Sequence, residues 1–258
     1  MKKAVLAIAI GAFVAAPGLA DLGDVTKISL QTTTWTYYSG TGGGEFHAQV
    51  IGLPISDVGP INTTWEAFCL ERNESVGTGT NNYYAVVNTA AVRGGGNASG
   101  TISGGNPIFG DPQGQPSPNE GDPLDPKTAY LYNQFANGTL SSYDFAGPTA
   151  ARKADAAALQ NVIWKIEEEI TGSLTGQALA WYDEAVEATT LGQDQRITWR
   201  GLGDVRVLNL YTGYNASTDT VSGPAQDQLV NVKAPVPGAV LLGFLGLSAA
   251  GLKLRRYA

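Results

Sequence analysis

Cysteine, histidine and methionine occur once each in this chain of 258 residues. One cysteine excludes an intramolecular disulfide framework and every multi-cysteine metal site. One histidine excludes paired-histidine metal motifs. Charge is also scarce: Asp, Glu, Lys and Arg make up 15% of the residues, against roughly 25% in an ordinary soluble protein. The formal net charge of −7 is wrong for a phosphate backbone, so no nucleic-acid partner is expected. No glycine-rich segment follows a strand pattern and opens a helix, which removes nucleotide-binding loops, and no internal repeat of fixed period is visible. Glycine, by contrast, is abundant at 33 residues, where about 7% of a chain would be usual. Low charge with much Gly, Thr, Asn and Tyr describes a turn-rich, exported β protein.

Both ends read as addresses. Met1-Lys2-Lys3 precedes the apolar run Ala4 to Ala16, and small residues lead to a cleavage point after Ala20. That is the layout of a secretory signal peptide over residues 1–20. At the other end Pro235-Val236-Pro237-Gly238 precedes the apolar stretch Ala239 to Leu252, closed by Lys253, Arg255 and Arg256. An apolar segment followed by basic residues is a stop-transfer arrangement. As a helix the stretch rises about 21 Å, short of a hydrocarbon core of roughly 30 Å, which suits transient membrane contact during processing better than a permanent transmembrane helix.

This C-terminal arrangement, residues 234–258, resembles the PEP-CTERM class of bacterial sorting signals, here as a P-V-P-G variant with Val236 in place of Glu. The resemblance implies an exosortase-type sorting enzyme and the export machinery as partners, and a destination at the cell surface or in the extracellular matrix. Without the two ends, the body keeps 11 basic and 23 acidic side chains, an acidic balance that favours solubility and disfavours anionic lipid.

The body, residues 21–233, is expected to be α+β: a β-rich, sandwich- or barrel-like domain carrying an insert of about three helices. Strand patterns cover Val25 to Tyr38, Glu45 to Leu53, Trp65 to Arg72 and Tyr83 to Val92, with alternation or β-branched and aromatic enrichment. Residues 94–126 form a long loop rich in Gly, Pro, Asn and Asp. Its acidic stretch from Gly110 to Asp122 lacks the register of a calcium loop, and no metal is assigned to it. Helical spacing then runs from Asp125-Pro126, from Thr149 to Ile170, and from Thr175 to Thr189, an insert of about 125–190. Glu167, Glu168 and Glu169 are read as a solvated face of the second helix. Strands resume at Arg196 to Trp199, Val205 to Tyr211 and Leu229 to Val232. Trp35, Tyr37 and Tyr38 are strand aromatics that would pack a core or stack on a saccharide.

The chemistry centres on Cys69. An unpaired thiol in an oxidising space is open to oxidation or wrong pairing, and three readings stay open. The first is an inert, buried structural thiol. The second is an internal thioester, in which the sulfur attacks a glutamine carboxamide and expels ammonia. This requires a Cys and a Gln held together and shielded from water. Phe68-Cys69-Leu70 and Leu159-Gln160-Asn161-Val162-Ile163-Trp164 supply both residues with apolar flanks. These motifs resemble those of the thioester domains in bacterial surface adhesins, with Phe68, Leu70, Leu159, Ile163 and Trp164 in the supporting positions. The resemblance implies that Cys69 and Gln160 form the bond and that the domain attaches covalently to a surface or matrix polysaccharide or protein. The third reading is a cysteine hydrolase pairing Cys69 with His47, although no helix N-terminus or cation precedes Cys69 to activate it. The chain is therefore read as a non-enzymatic surface protein without a cofactor, either a covalent adhesin or a non-covalent structural or polysaccharide-binding envelope protein.

Overall fold

The computed structural model describes residues 25–31, 43–55, 57–72, 74–77, 81–92, 122–190 and 197–232. The expected signal peptide, the sorting segment with Pro235, Val236, Pro237, Gly238, Lys253, Arg255 and Arg256, the aromatics Trp35, Tyr37 and Tyr38, and nearly all of the acidic loop lie outside them.

The first strands are β1 (Val25–Gln31), β2 (Phe46–Gly52), β3 (Thr64–Ala67) and β4 (Asn82–Asn88). A short pair, β5 (Ala90–Ala91) and β6 (Asp122–Pro123), spans the ends of the long loop. Three helices follow: α1 (Pro126–Ala136), α2 (Ala150–Ile166) and α3 (Gly176–Thr189). The chain returns through β7 (Val205–Asn215) and β8 (Thr220–Asn231). Six strands make one antiparallel sheet in the order β3-β2-β1-β4-β7-β8. The sheet curls into a half-barrel, so the body is α+β and β-rich with three helices.

The helix starts follow from local chemistry. Asp125 accepts a hydrogen bond from the Lys127 N–H at 2.7 Å, and Pro126 occupies a first-turn position that needs no donor. Thr149 caps α2 by accepting from the Arg152 N–H at 2.9 Å. Helix α2 turns Leu159, Val162, Ile163 and Ile166 into a core shared with α1 and α3.

Curling solves an edge problem. β3 and β8 are the two ends of the strand order, and an exposed edge offers unpaired main chain. Just past β3, Cys69 pairs with Gln228 of β8 across the gap. The Leu70 N–H donates to Asp227 O at 3.1 Å and the Leu229 N–H to Phe68 O at 3.0 Å. Both faces of this seam are covered. Phe68, Leu70 and Leu229 face the helical core, whereas Cys69 and Val230 face the half-barrel interior with Ile28, Leu30 and Phe46. The split follows from the two-residue period of extended chain.

Three expectations are corrected here. The segment 65–72 is not one strand, because β3 ends at Ala67 and only Cys69 bridges onward. Residues 197–199 are not a strand: the Thr198 and Trp199 N–H groups bond Ala188 O at the end of α3. The acidic triplet is not a solvated face. Helix α2 stops at Ile166, and the turn after it buries Glu167 and Glu169 while Glu168 stays exposed. Glu167 accepts from the Asp125 N–H at 3.3 Å, at the start of α1. Glu169 accepts from the Arg72 N–H at 3.0 Å. Carboxylates that looked unfavourable at a helix end instead satisfy main-chain donors of neighbouring segments.

Candidate functional site

Cys69 lies at the seam with 0% exposure. It and Gln228 form a non-hydrogen-bonded antiparallel pair, flanked by the two bonds described above, which brings the side chains close. In such a pair the main-chain N–H and C=O of Cys69 point away from β8 and need partners elsewhere. Gln160 of α2 supplies both. Its Oε1 accepts from the Cys69 N–H at 3.1 Å, and its Nε2 donates to Cys69 O at 2.8 Å. The same Oε1 accepts from the Gly44 N–H at 3.1 Å. Gln160 is 1% exposed, so the clamp is dry.

The sequence-predicted residues thus come together, but through particular atoms. The Gln160 carboxamide holds the main chain of Cys69. The sulfur itself faces β8: Sγ donates to Gln226 Oε1 at 2.8 Å, and Gln228 Nε2 donates to Sγ at 3.3 Å. Phe68, Leu70, Leu159 and Ile163 are buried in the helical core, behind the sulfur. Trp164 is buried on the half-barrel side with Cys69. Gly43 rests against Gln160 and Trp164. A Cβ there would stand 2.6 Å from the Trp164 ring and 2.7 Å from Gln160 Cγ, so only glycine admits this approach.

Sequence reasoning missed Gln226 and Gln228, which a β-bulge brings into play. Leu208 pairs with Gln228 and Leu210 with Ala225, so Gln226 and Asp227 together stand opposite Asn209, one residue more than regular pairing allows. Bulges re-aim side chains in this way. Asp227 fills the irregularity: its carboxylate accepts from the Val92 N–H at 2.7 Å, the Leu210 N–H at 3.0 Å and Asn209 Nδ2 at 2.7 Å. Gln226 Nε2 donates to Glu71 O. The Glu71 carboxylate in turn accepts from the Asp227 N–H at 2.7 Å. The available signal was the alternation Gln226-x-Gln228-x-Val230 leading into a strand pattern: polar side chains on a face that its neighbours mark as buried.

Electrostatically the site is closed, and burial shifts each of its acids toward the protonated form. Burial pushes the Cys69 thiol up, the Gln228 N–H lowers it in part, and the nearby Glu71 adds to the rise. Burial, with Asp227 beside it, holds Glu71 well above the usual carboxylate range. Burial raises Asp227 also, against the pull of its N–H donors. Those three donors favour Asp227 as the charged member and Glu71 as the proton holder.

His47 does not join this cluster. It sits opposite Glu66 in the β2–β3 register, and its Nδ1 lies 2.9 Å from Glu66 Oε1. The polar contacts of the sulfur are both glutamines, and a thiol raised by burial is the opposite of an activated nucleophile. The Cys69–His47 hydrolase reading therefore finds no geometric support.

Among the described residues no group of His, Cys, Asp and Glu is arranged to hold a metal ion, and no helix is long and apolar enough to cross a membrane. Compared with protein-family models, curated proteins and solved structures, the chain matches none.

Proposed function

We propose that this is an exported cell-surface or extracellular-matrix protein that attaches covalently to its target through an internal thioester on Cys69. The observation that carries the reading is the environment of the thiol. A lone cysteine of an exported chain is fully buried at a seam, with three buried glutamine carboxamides around it. A thioester caps such a thiol against oxidation and stores an acyl group for an outside amine or hydroxyl. The target is a surface or matrix polysaccharide or protein bearing that nucleophile. The route to the surface runs through the signal peptide and a C-terminal segment handled by an exosortase-type enzyme, with transient membrane contact. The role is adhesion rather than turnover, with no cofactor and no nucleic-acid partner.

The test is the intact mass of the purified, exported protein. A thioester makes it lighter by one ammonia, added methylamine restores mass at an acyl carbon, and Cys69→Ala abolishes both. An unmodified mass, with a thiol that labels freely after denaturation, removes the covalent reading.

A second reading, non-covalent saccharide binding, is favoured by a groove of about 530 Å³ beside the C-terminus of α1. Trp65 and Phe145 offer ring surface there, with Glu66, Asn137 and Asn231 as polar edges. Trp65→Ala should abolish retention on polysaccharide if this groove is the contact, and unchanged retention would exclude it.

A further inference from the structure

The sequence alone pairs Cys69 with Gln160, yet the atoms that must bond are a sulfur and a carboxamide carbon. The Gln160 carboxamide is spent on main chain: the Cys69 and Gly44 N–H groups donate to its oxygen, and its nitrogen donates to the Cys69 carbonyl. It makes no hydrogen bond to Sγ. The Gln226 carboxamide does, with Oε1 2.8 Å from Sγ. A carbonyl C=O bond is about 1.2 Å long, so Gln226 Cδ lies within about 4 Å of the sulfur, close to the spacing of a near-attack pair. Resting on the thioester reading, we propose that Gln226 is the acyl donor, that Gln160 positions the Cys69 main chain, and that Gln228 steadies the sulfur.

The surroundings fit these separate roles. Gln226 belongs to the bulge of β8, the one place where the strand departs from simple pairing and turns a side chain toward the seam. Its nitrogen, the group that must leave, is held by the Glu71 main-chain carbonyl. Gln228 Nε2 donates to Sγ, where negative charge builds as the S–H proton departs, while its own Oε1 is buried without a partner. The site is thus polar on the sulfur side and fixed on the main-chain side.

The step balances without an outside reagent. Sγ bonds to Gln226 Cδ, the Cδ–Nε2 bond breaks, and the thiol proton leaves with that nitrogen as ammonia. No electrons are exchanged. The S–H is already aimed at Gln226 Oε1, so its proton passes to that oxygen as the C–S bond forms and from the tetrahedral adduct to the leaving nitrogen, and no solvent-exposed thiolate is needed.

Gln160→Ala and Gln226→Ala both open the core, so the decisive experiment maps the bond in the unaltered sequence. The exported protein is unfolded in urea with methylamine present, digested, and fragmented by mass spectrometry. The expected result is an N-methylamide on Gln226, none on Gln160 or Gln228, and an ammonia deficit in the untreated protein. Gln226→Ala should lose the deficit completely, whereas Gln228→Ala, which keeps the acyl donor but removes the N–H on Sγ, should develop it more slowly. A methylamide on Gln160 or Gln228 overturns the assignment while leaving the thioester in place. An untreated protein with no ammonia deficit overturns the thioester reading itself.

Discussion

Replacing Glu167 by Gln should flatten the dependence of stability on pH. Burial pushes the Glu167 carboxyl up from 4.5 to about 8, with Asp122 and Asp125 nearby adding to the rise. A raised acid binds its proton more tightly in the folded state. Its contribution is therefore complete below pH 4.5 and declines as pH rises through the folded value. The gap between 4.5 and about 8, at about 1.4 kcal/mol per pH unit, amounts to about 5 kcal/mol. That is a large share of a folding free energy of about 5–15 kcal/mol. Gln keeps the acceptor that serves the Asp125 N–H but does not titrate. Urea unfolding of both proteins at several pH values between 4.5 and 9 reads the effect. The variant's advantage should grow by several kcal/mol toward alkaline pH and be smallest near pH 4.5. If the two curves run parallel, Glu167 titrates as an ordinary carboxyl and burial does not raise it.

Three further perturbations bear on how the site is held. Gly43→Ala would press a methyl group on Trp164 and Gln160. We expect a loss of about 1–3 kcal/mol in chemical denaturation, and slower loss of ammonia in a mass time course, because the Cys69 clamp shifts. Arg152→Ala removes the guanidinium that pairs with Glu45, a side chain with 0% exposure that also accepts from the Tyr143 hydroxyl at 2.9 Å. The uncompensated buried charge should cost about 3–5 kcal/mol, and adding Glu45→Gln should recover part of it in the same denaturation assay. Asp227→Asn would replace one of two acceptor oxygens by an NH₂ group, which then faces either the Leu210 N–H or the Val92 N–H and Asn209 Nδ2. A destabilisation of about 1–3 kcal/mol, read by thermal unfolding, is expected, and an unchanged melting temperature would show that the bulge does not depend on the carboxylate.

Much of the body was legible because its signals are local. Asp125-Pro126 and Thr149 carry their helix starts in their own side chains, and the spacing of Leu159, Val162 and Ile163 defines a buried helix face. The alternation of Phe68, Cys69 and Leu70 placed the thiol opposite its neighbours, and two separate cores receive them. The acidic triplet misled because a charge run looks the same whether water or a distant main-chain N–H satisfies it. Here Asp125 and Arg72 provide the donors, and neither lies within the helix. The strand expected at Arg196 to Trp199 misled for a similar reason: within its described part, 197–199, the end of α3 takes the N–H groups of Thr198 and Trp199.

The amino-acid sequence determined by itself that one thiol exists, that apolar residues flank it, and that Gln160 falls beside Leu159, Ile163 and Trp164 on α2. Tertiary structure decided which atoms face each other. Pairing of Cys69 with Gln228 turns the Cys69 main chain toward Gln160, and the bulge at Asp227 swings Gln226 to the sulfur. Those relations join residues 91 and 157 positions apart, and they exist only because the half-barrel curls until its two edge strands meet. Periodicity encodes which face of an element is buried, but contact across a seam depends on register and bulges, which no single segment carries.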